Sequence, residues 1–204
     1  MKQEHTTILF WGATWGLVEA TLGYVLHYLA VAIPGLPGFI MFPVALFFMH
    51  QVYQHTSKAS AITAAAGIAA MIKLTDLAFG GLLPIFVINP ALALLMEGLV
   101  VTLLITTSKH MKQIQLFGLG FLMSVGWRSV FLLYMLVISR FGLPAGLVTN
   151  GIALSLRFLL LESGVNAILI GVYLSLVRKP NHIKVTQPAA FGMLMMAILL
   201  QWLT

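Results

Sequence analysis

Long apolar runs recur along the whole chain, separated by short polar or Pro/Gly-rich stretches. A helix needs about 20 mostly apolar residues to cross the hydrocarbon layer of a bilayer, and most of the runs reach that length. The pattern predicts helix 1 over about residues 7–29, closed by the cluster Pro34-Gly35-Leu36-Pro37-Gly38. Helix 2 covers about 39–53; it is short and contains Pro43, so it tilts little or is partly re-entrant. Helix 3 covers about 59–79 and is broken by Gly80-Gly81. Helix 4 covers about 85–107, with Pro90 in its first turns, where proline is tolerated. Helix 5 covers about 114–139 and helix 6 about 150–177. A last apolar run, about 188–204, opens at Pro188 and is barely long enough to span. The expected fold is therefore all-α: a polytopic transmembrane bundle of six to seven spans, forming one domain over 1–204. Six core helices occupy about 7–177, and the run 188–204 is an extra C-terminal helix. No internal repeat, low-complexity tract or linker interrupts them.

Basic residues give the bundle a direction. If the spans alternate, Lys2, Lys58, Lys109, Lys112, Arg178, Lys179 and Lys184 fall on one side, and the other side holds only Arg140. Lysine and arginine concentrate in cytoplasmic loops. The amino terminus is thus expected inside, with loops 30–38, 80–84 and 140–149 outside, in the cytoplasmic membrane of a bacterium or archaeon. Composition agrees: 60% of residues are hydrophobic and only 8% charged, against about 25% charged in soluble domains. The net charge of +6 follows from the loop bias. No basic run is interleaved with aromatics, so no nucleic-acid partner is expected. The chain has no cysteine, which excludes disulfides, thiolate metal sites and cysteine nucleophiles. No small-residue cleavage site follows the first apolar run, so that run is expected to stay as a helix.

The ionisable residues inside the spans carry the chemistry. Only Glu4 among the five acids lies outside the apolar runs. Glu19, Asp76, Glu97 and Glu162 lie inside them, with Lys73, Arg128 and Arg157. Such groups are costly at membrane depth, so they face the bundle interior and are functional candidates. Lys73 and Asp76 have the spacing of an intrahelical pair. Arg157 and Glu162, five apart, point about 140° apart on an α-helix and so call for different partners. Asn89, Ala93 and Glu97 form a ladder on helix 4, and Ser155, Glu162 and Asn166 share a face of helix 6. The topology puts Glu19, Glu97, Arg128 and Glu162 near mid-membrane. His27, Lys73, Asp76, Asn89 and Arg157 sit in the outer half, with Tyr24 and Tyr28 at the top of helix 1. The distribution describes a pocket open outside and closed at the middle. Its substrate-binding candidates are Tyr24, His27, Lys73, Asp76, Asn89, Arg128, Arg157 and Asn166, over an acidic floor of Glu19, Glu97 and Glu162. His50, His55, His110 and His182 are read as solvated boundary residues. No H-E-x-x-H motif, second histidine at the depth of His27, G-x-S-x-G elbow or nucleotide fingerprint is present. No catalytic residue is assigned, and metal and cofactor stay unknown.

Gly12, Gly16, Ala20 and Gly23 form one stripe on helix 1, the kind that lets helices approach closely. The segment Trp15-Gly16-Leu17-Val18-Glu19-Ala20-Thr21-Leu22-Gly23, the Pro/Gly loop 34–38 and Ile88-Asn89-Pro90-Ala91, set in this helix plan, resemble the substrate-binding S components of energy-coupling factor (ECF) transporters. The resemblance implies that Gly12, Gly16 and Ala20 dock on a transmembrane coupling subunit with its ATPases, and that residues 33–39 gate the site. It also implies a vitamin-like small molecule, such as a corrinoid, or a metal ion, captured from outside. The family has six spans, so the seventh run is additional here. The leading expectation is the substrate-binding subunit of an uptake transporter, in contact with membrane lipids. The alternatives are an intramembrane enzyme acting on a lipid or prenyl substrate with a glutamate as acid or base, and a structural or assembly protein.

Overall fold

The computed structural model describes residues 2–33, 35–78, 83–177 and 184–203. Helix is the only regular structure among them. The elements are α1 (Gln3–Leu29), α2 (Leu36–Thr56), α3 (Ser60–Leu74) with a 3-10 turn at Thr75–Ala78, and α4 (Pro84–Leu104) with a 3-10 end at Ile105–His110. There follow α5 (Gln113–Ser139), the short α6 (Gly146–Thr149), α7 (Ile152–Leu156), a π-turn at Arg157–Leu161, α8 (Glu162–Leu176) and α9 (Gln187–Gln201). Pro34, Phe79, Gly80, Gly81, Arg178, Lys179 and His182, used above for loops and charge, lie outside the described residues.

Five helical stretches are long and apolar enough to cross a membrane: Leu36–Thr56, Ser60–Ala78, Pro84–His110, Gln113–Ser139 and Ile152–Leu176. The fold is an all-α bundle compatible with a multi-pass membrane protein. α1 has 27 residues, about 40 Å at 1.5 Å per residue, but Glu19, two tryptophans and several glycines dilute its apolarity. It lies between α2, α3 and α9. α9 has 15 residues and reaches only about 22 Å, less than the hydrocarbon thickness. Helix 2 is longer than the apolar run suggested, because Pro37 starts it and Pro43 is accommodated within it.

The rods alternate in direction. At one end Lys58 Nζ meets Glu4 Oε2 at 2.7 Å, Lys109 lies over the Tyr53 ring at 4.9 Å, and Gln3 donates to the Val185 carbonyl at 2.9 Å. The lysine hydrogen bond holds the exposed Glu4 carboxyl below its usual range; such a surface pair adds little stability. At the other end Gln201 donates to Asp76 at 2.8 Å. Lys2, Lys58, Lys109, Lys112 and Lys184 thus share one end, and Arg140 follows α5 at the other.

Small residues set the closest approach. A Cβ at Gly12 would stand 2.9 Å from the Ala65 carbonyl oxygen, and one at Gly16 would stand 2.7 Å from Ile72 Cδ1. Ala20 is buried on the same helix, and Ala65, Ala66 and Ala69 of α3 are buried opposite. This corrects the docking expectation: Gly12, Gly16 and Ala20 are covered by this chain and offer no surface to another subunit.

Pro43 imposes a second constraint. Lacking an N–H, it cannot donate to the carbonyl four residues earlier, that of Phe39. Asn166 of α8 takes its place: Nδ2 donates to the Phe39 carbonyl at 2.7 Å and to that of Gly38 at 3.3 Å. Arg128 of α5 adds Nη2 to the Gly38 carbonyl at 2.7 Å.

Two outcomes follow. Asn166→Leu is expected to lower stability by about 1–3 kcal/mol, measured by thermal unfolding in mild detergent. In the Pro43→Ala background the same change should cost clearly less, because an N–H is restored to the Phe39 carbonyl; equal costs would disprove the repair. Gly12→Ala, whose methyl meets fixed backbone, should destabilise by about 1–3 kcal/mol and more than Gly16→Ala, whose methyl meets the movable tip of Ile72.

Candidate functional site

A cavity of about 300 Å³ opens between α1, α2, α4, α5 and the α6–α7 corner. Glu19 and His27 come from α1, and Asn89, Pro90, Ala93, Leu94 and Glu97 from α4. Pro37, Gly38, Met41 and Phe42 come from α2, and Trp127, Phe131 and Met135 from α5. Leu147 of α6 and Phe158 of the π-turn complete the wall.

Local structure explains these placements. Asn89, Ala93 and Glu97 repeat every four residues and so stack on one face of α4. The Tyr134 hydroxyl donates to Asn89 Oδ1 at 2.8 Å, which leaves the amide NH2 as the side chain's remaining donor. His27 Nδ1 donates to the Gly23 carbonyl at 2.8 Å. Glu97 is only 6% exposed. Glu19 lines the same cavity, and a Cβ on Gly23 would stand 3.9 Å from Glu19 Oε1. Neither carboxylate has a hydrogen-bond or ion-pair partner among the described residues.

The other acidic candidate is used structurally. Arg128 is fully buried; Nη2 also donates to Asn166 Oδ1 at 2.9 Å and lies 3.6 Å from Glu162 Oε2. Its guanidinium stacks on Trp127 at 4.6 Å and Phe158 at 5.2 Å. Gly38 lies directly on the Glu162 carboxylate, where a Cβ would come 2.6 Å from Cδ. Gly35, at φ +82°, takes a left-handed conformation natural to glycine, and a Cβ there would reach 2.9 Å from Arg157 Cζ.

The π-turn corrects the expected divergence of Arg157 and Glu162. The Glu162 N–H donates to the Arg157 carbonyl, an i→i+5 bond that stacks residues five apart. Both side chains therefore converge on the start of α2, and Arg157 draws on the Glu162 carboxylate electrostatically.

Of the sequence candidates, His27, Asn89, Glu19 and Glu97 line the cavity. Arg128, Asn166, Glu162 and Arg157 lie behind it, around the start of α2. Lys73 and Asp76 pair at 2.9 Å and are joined by Gln201; they serve the α3–α9 contact. Tyr24 is exposed and outside the lining. His50, expected to be solvated, is buried between Tyr173, at 2.9 Å, and Gln54, at 2.7 Å. The aromatic wall was not anticipated. Trp127, Phe131 and Met135 do repeat every four residues, but α5 is apolar on every side and offers no contrast. Among the described residues no group of three or more His, Asp or Glu could hold a metal.

No family model matches the chain, no curated protein matches it, and no solved structure matches it.

Arg128→Leu leaves the buried Glu162 with Arg157 as its remaining counter-charge and is expected to destabilise by about 1–3 kcal/mol. Adding Glu162→Leu should recover part of that loss. Thermal unfolding of the single and double variants checks this, and strict additivity would exclude the pair as a unit.

Proposed function

We propose that the protein is a multi-pass membrane protein that captures a small molecule in the α1–α2–α4–α5 cavity, as the substrate-binding subunit of an uptake transporter. The observation that carries this reading is the cavity itself. It is a largely apolar space with four aromatic rings in its wall, at the low end of the roughly 300–1,000 Å³ range of small-molecule pockets, with a few polar groups for orientation. Its polar groups His27 and Asn89 belong to the end away from Lys2, Lys58, Lys109, Lys112 and Lys184. The positive-inside bias then turns that end outward, with the amino terminus inside. This supports loading from outside.

The volume favours a molecule of one or two rings over a corrinoid. A metal ion as ligand finds no cluster of three or more His, Asp or Glu among the described residues. Uptake against a gradient would need an energised partner, since the sequence carries no nucleotide fingerprint; that partner would dock elsewhere than on Gly12, Gly16 and Ala20. An intramembrane enzyme using Glu19 or Glu97 as acid or base is the second reading, and the unpartnered carboxylates favour it over a purely structural role.

Native mass spectrometry of the full chain released from detergent is expected to show a co-purifying small molecule, absent from Ala93→Phe, which fills the cavity. An empty wild-type protein, or a ligand retained at equal occupancy in Ala93→Phe, would remove the reading. Turnover of a bound lipid without any partner would replace it with the enzyme.

A further inference from the structure

Four interior acids, Glu19, Asp76, Glu97 and Glu162, share the bundle with three fixed cations, Lys73, Arg128 and Arg157, and with His27, whose ring lines the same cavity as Glu19 and Glu97. The fixed cations are placed unevenly. Lys73 is committed to Asp76 at 2.9 Å. Arg128 gives one nitrogen, Nη2, to the Gly38 carbonyl, Asn166 and Glu162, and Arg157 lies against the Gly35–Glu162 side. Glu19 and Glu97 share the cavity and, among the described residues, have no ion-pair partner within 4 Å. An uncompensated charge in a medium of low polarity costs several kcal/mol, and a counter-charge removes that cost.

The walls say what kind of counter-charge fits. Phe42, Trp127, Phe131 and Phe158 pack as one aromatic cluster, with ring centroids 5.6–6.3 Å apart. Aromatic faces attract soft organic cations and solvate their apolar substituents. They give a small inorganic ion no ligand, and among the described residues no group of three or more His, Asp or Glu gathers there. Building on the cavity reading above, we propose that the ligand of this site is a monovalent organic cation: a protonated amine or quaternary ammonium, its charge on Glu19 and Glu97 and its body on the Trp127 wall.

The test is equilibrium dialysis of benzyltrimethylammonium against the full chain in nanodiscs of zwitterionic lipid, with empty discs as background and neopentylbenzene as the neutral probe of the same shape. Saturable binding of the cation is expected, at least about ten-fold tighter than that of the neutral probe. Glu97→Gln should weaken it by about ten-fold or more, with the helical circular dichroism signal unchanged. Glu19→Gln gives the same readout from another helix if the first variant folds poorly. Equal binding of both probes, or cation binding indifferent to both substitutions, overturns the cation assignment and leaves a neutral-ligand cavity. Saturable binding of neither probe also overturns it, a proton then balancing the charge. The cavity reading itself fails only on the co-purification result with Ala93→Phe, so the two failures are separable.

Discussion

Pro43 cannot offer a hydrogen to the Phe39 carbonyl, and that carbonyl lies where water is scarce. Backbone groups left without partners at membrane depth are costly, so a proline there requires a donor from another helix. Asn166 supplies it at 2.7 Å. The buried amide is fixed in turn by Arg128, at 2.9 Å from its Oδ1, and Arg128 is neutralised by Glu162. One missing N–H on α2 thus accounts for three polar side chains on α5 and α8. Glycine at 38 is part of the same requirement, because any side chain there would displace the Glu162 carboxylate.

The clamp explains why α2 starts where it does. Held at Gly38 and Phe39, the first turn of α2 brings Pro37, Gly38 and Met41 against α4 and α5, and the cavity is the space left between them. On the opposite flank the same bundle closes tightly. Gly12 and Gly16 let α1 approach α3 at backbone distance, and α9 covers the Ala13–Ile72 side. Small residues close one half of the molecule, and a proline with its polar repair keeps the other half open.

The number of apolar rods, their order and their alternation were legible because runs of apolar residues and loop lysines are local signals. The stripe on α1 was legible as a packing surface, but its partner was not: periodicity shows which face is small, and only the fold shows that α3 covers it. Asn89 and Glu97 were readable as one inward face of α4. The π-turn was not readable, since nothing in Arg-Phe-Leu-Leu-Leu distinguishes it from an α-helical run, and it reversed the inference about Arg157 and Glu162. The aromatic wall escaped for another reason. In a helix apolar on all sides, Trp127 and Phe131 look the same whether they face lipid, core or cavity.

Trp127 and Arg128 show how the two halves of the polar interior are joined. Adjacent residues on a helix point roughly 100° apart, so one can face the cavity while the next faces the clamp. The Arg128 guanidinium lies over the Trp127 ring at 4.6 Å and pins it from behind through the Gly38 and Asn166 bonds. Phe158 is pinned by the same guanidinium. The Arg128 clamp therefore backs the cavity wall, while Glu19 and Glu97, outside its hydrogen bonds, line the cavity itself. Glu97, only 6% exposed and with no ion-pair partner within 4 Å among the described residues, stands at the cavity wall with a second carboxylate, Glu19; burying it there costs free energy that close packing alone does not return.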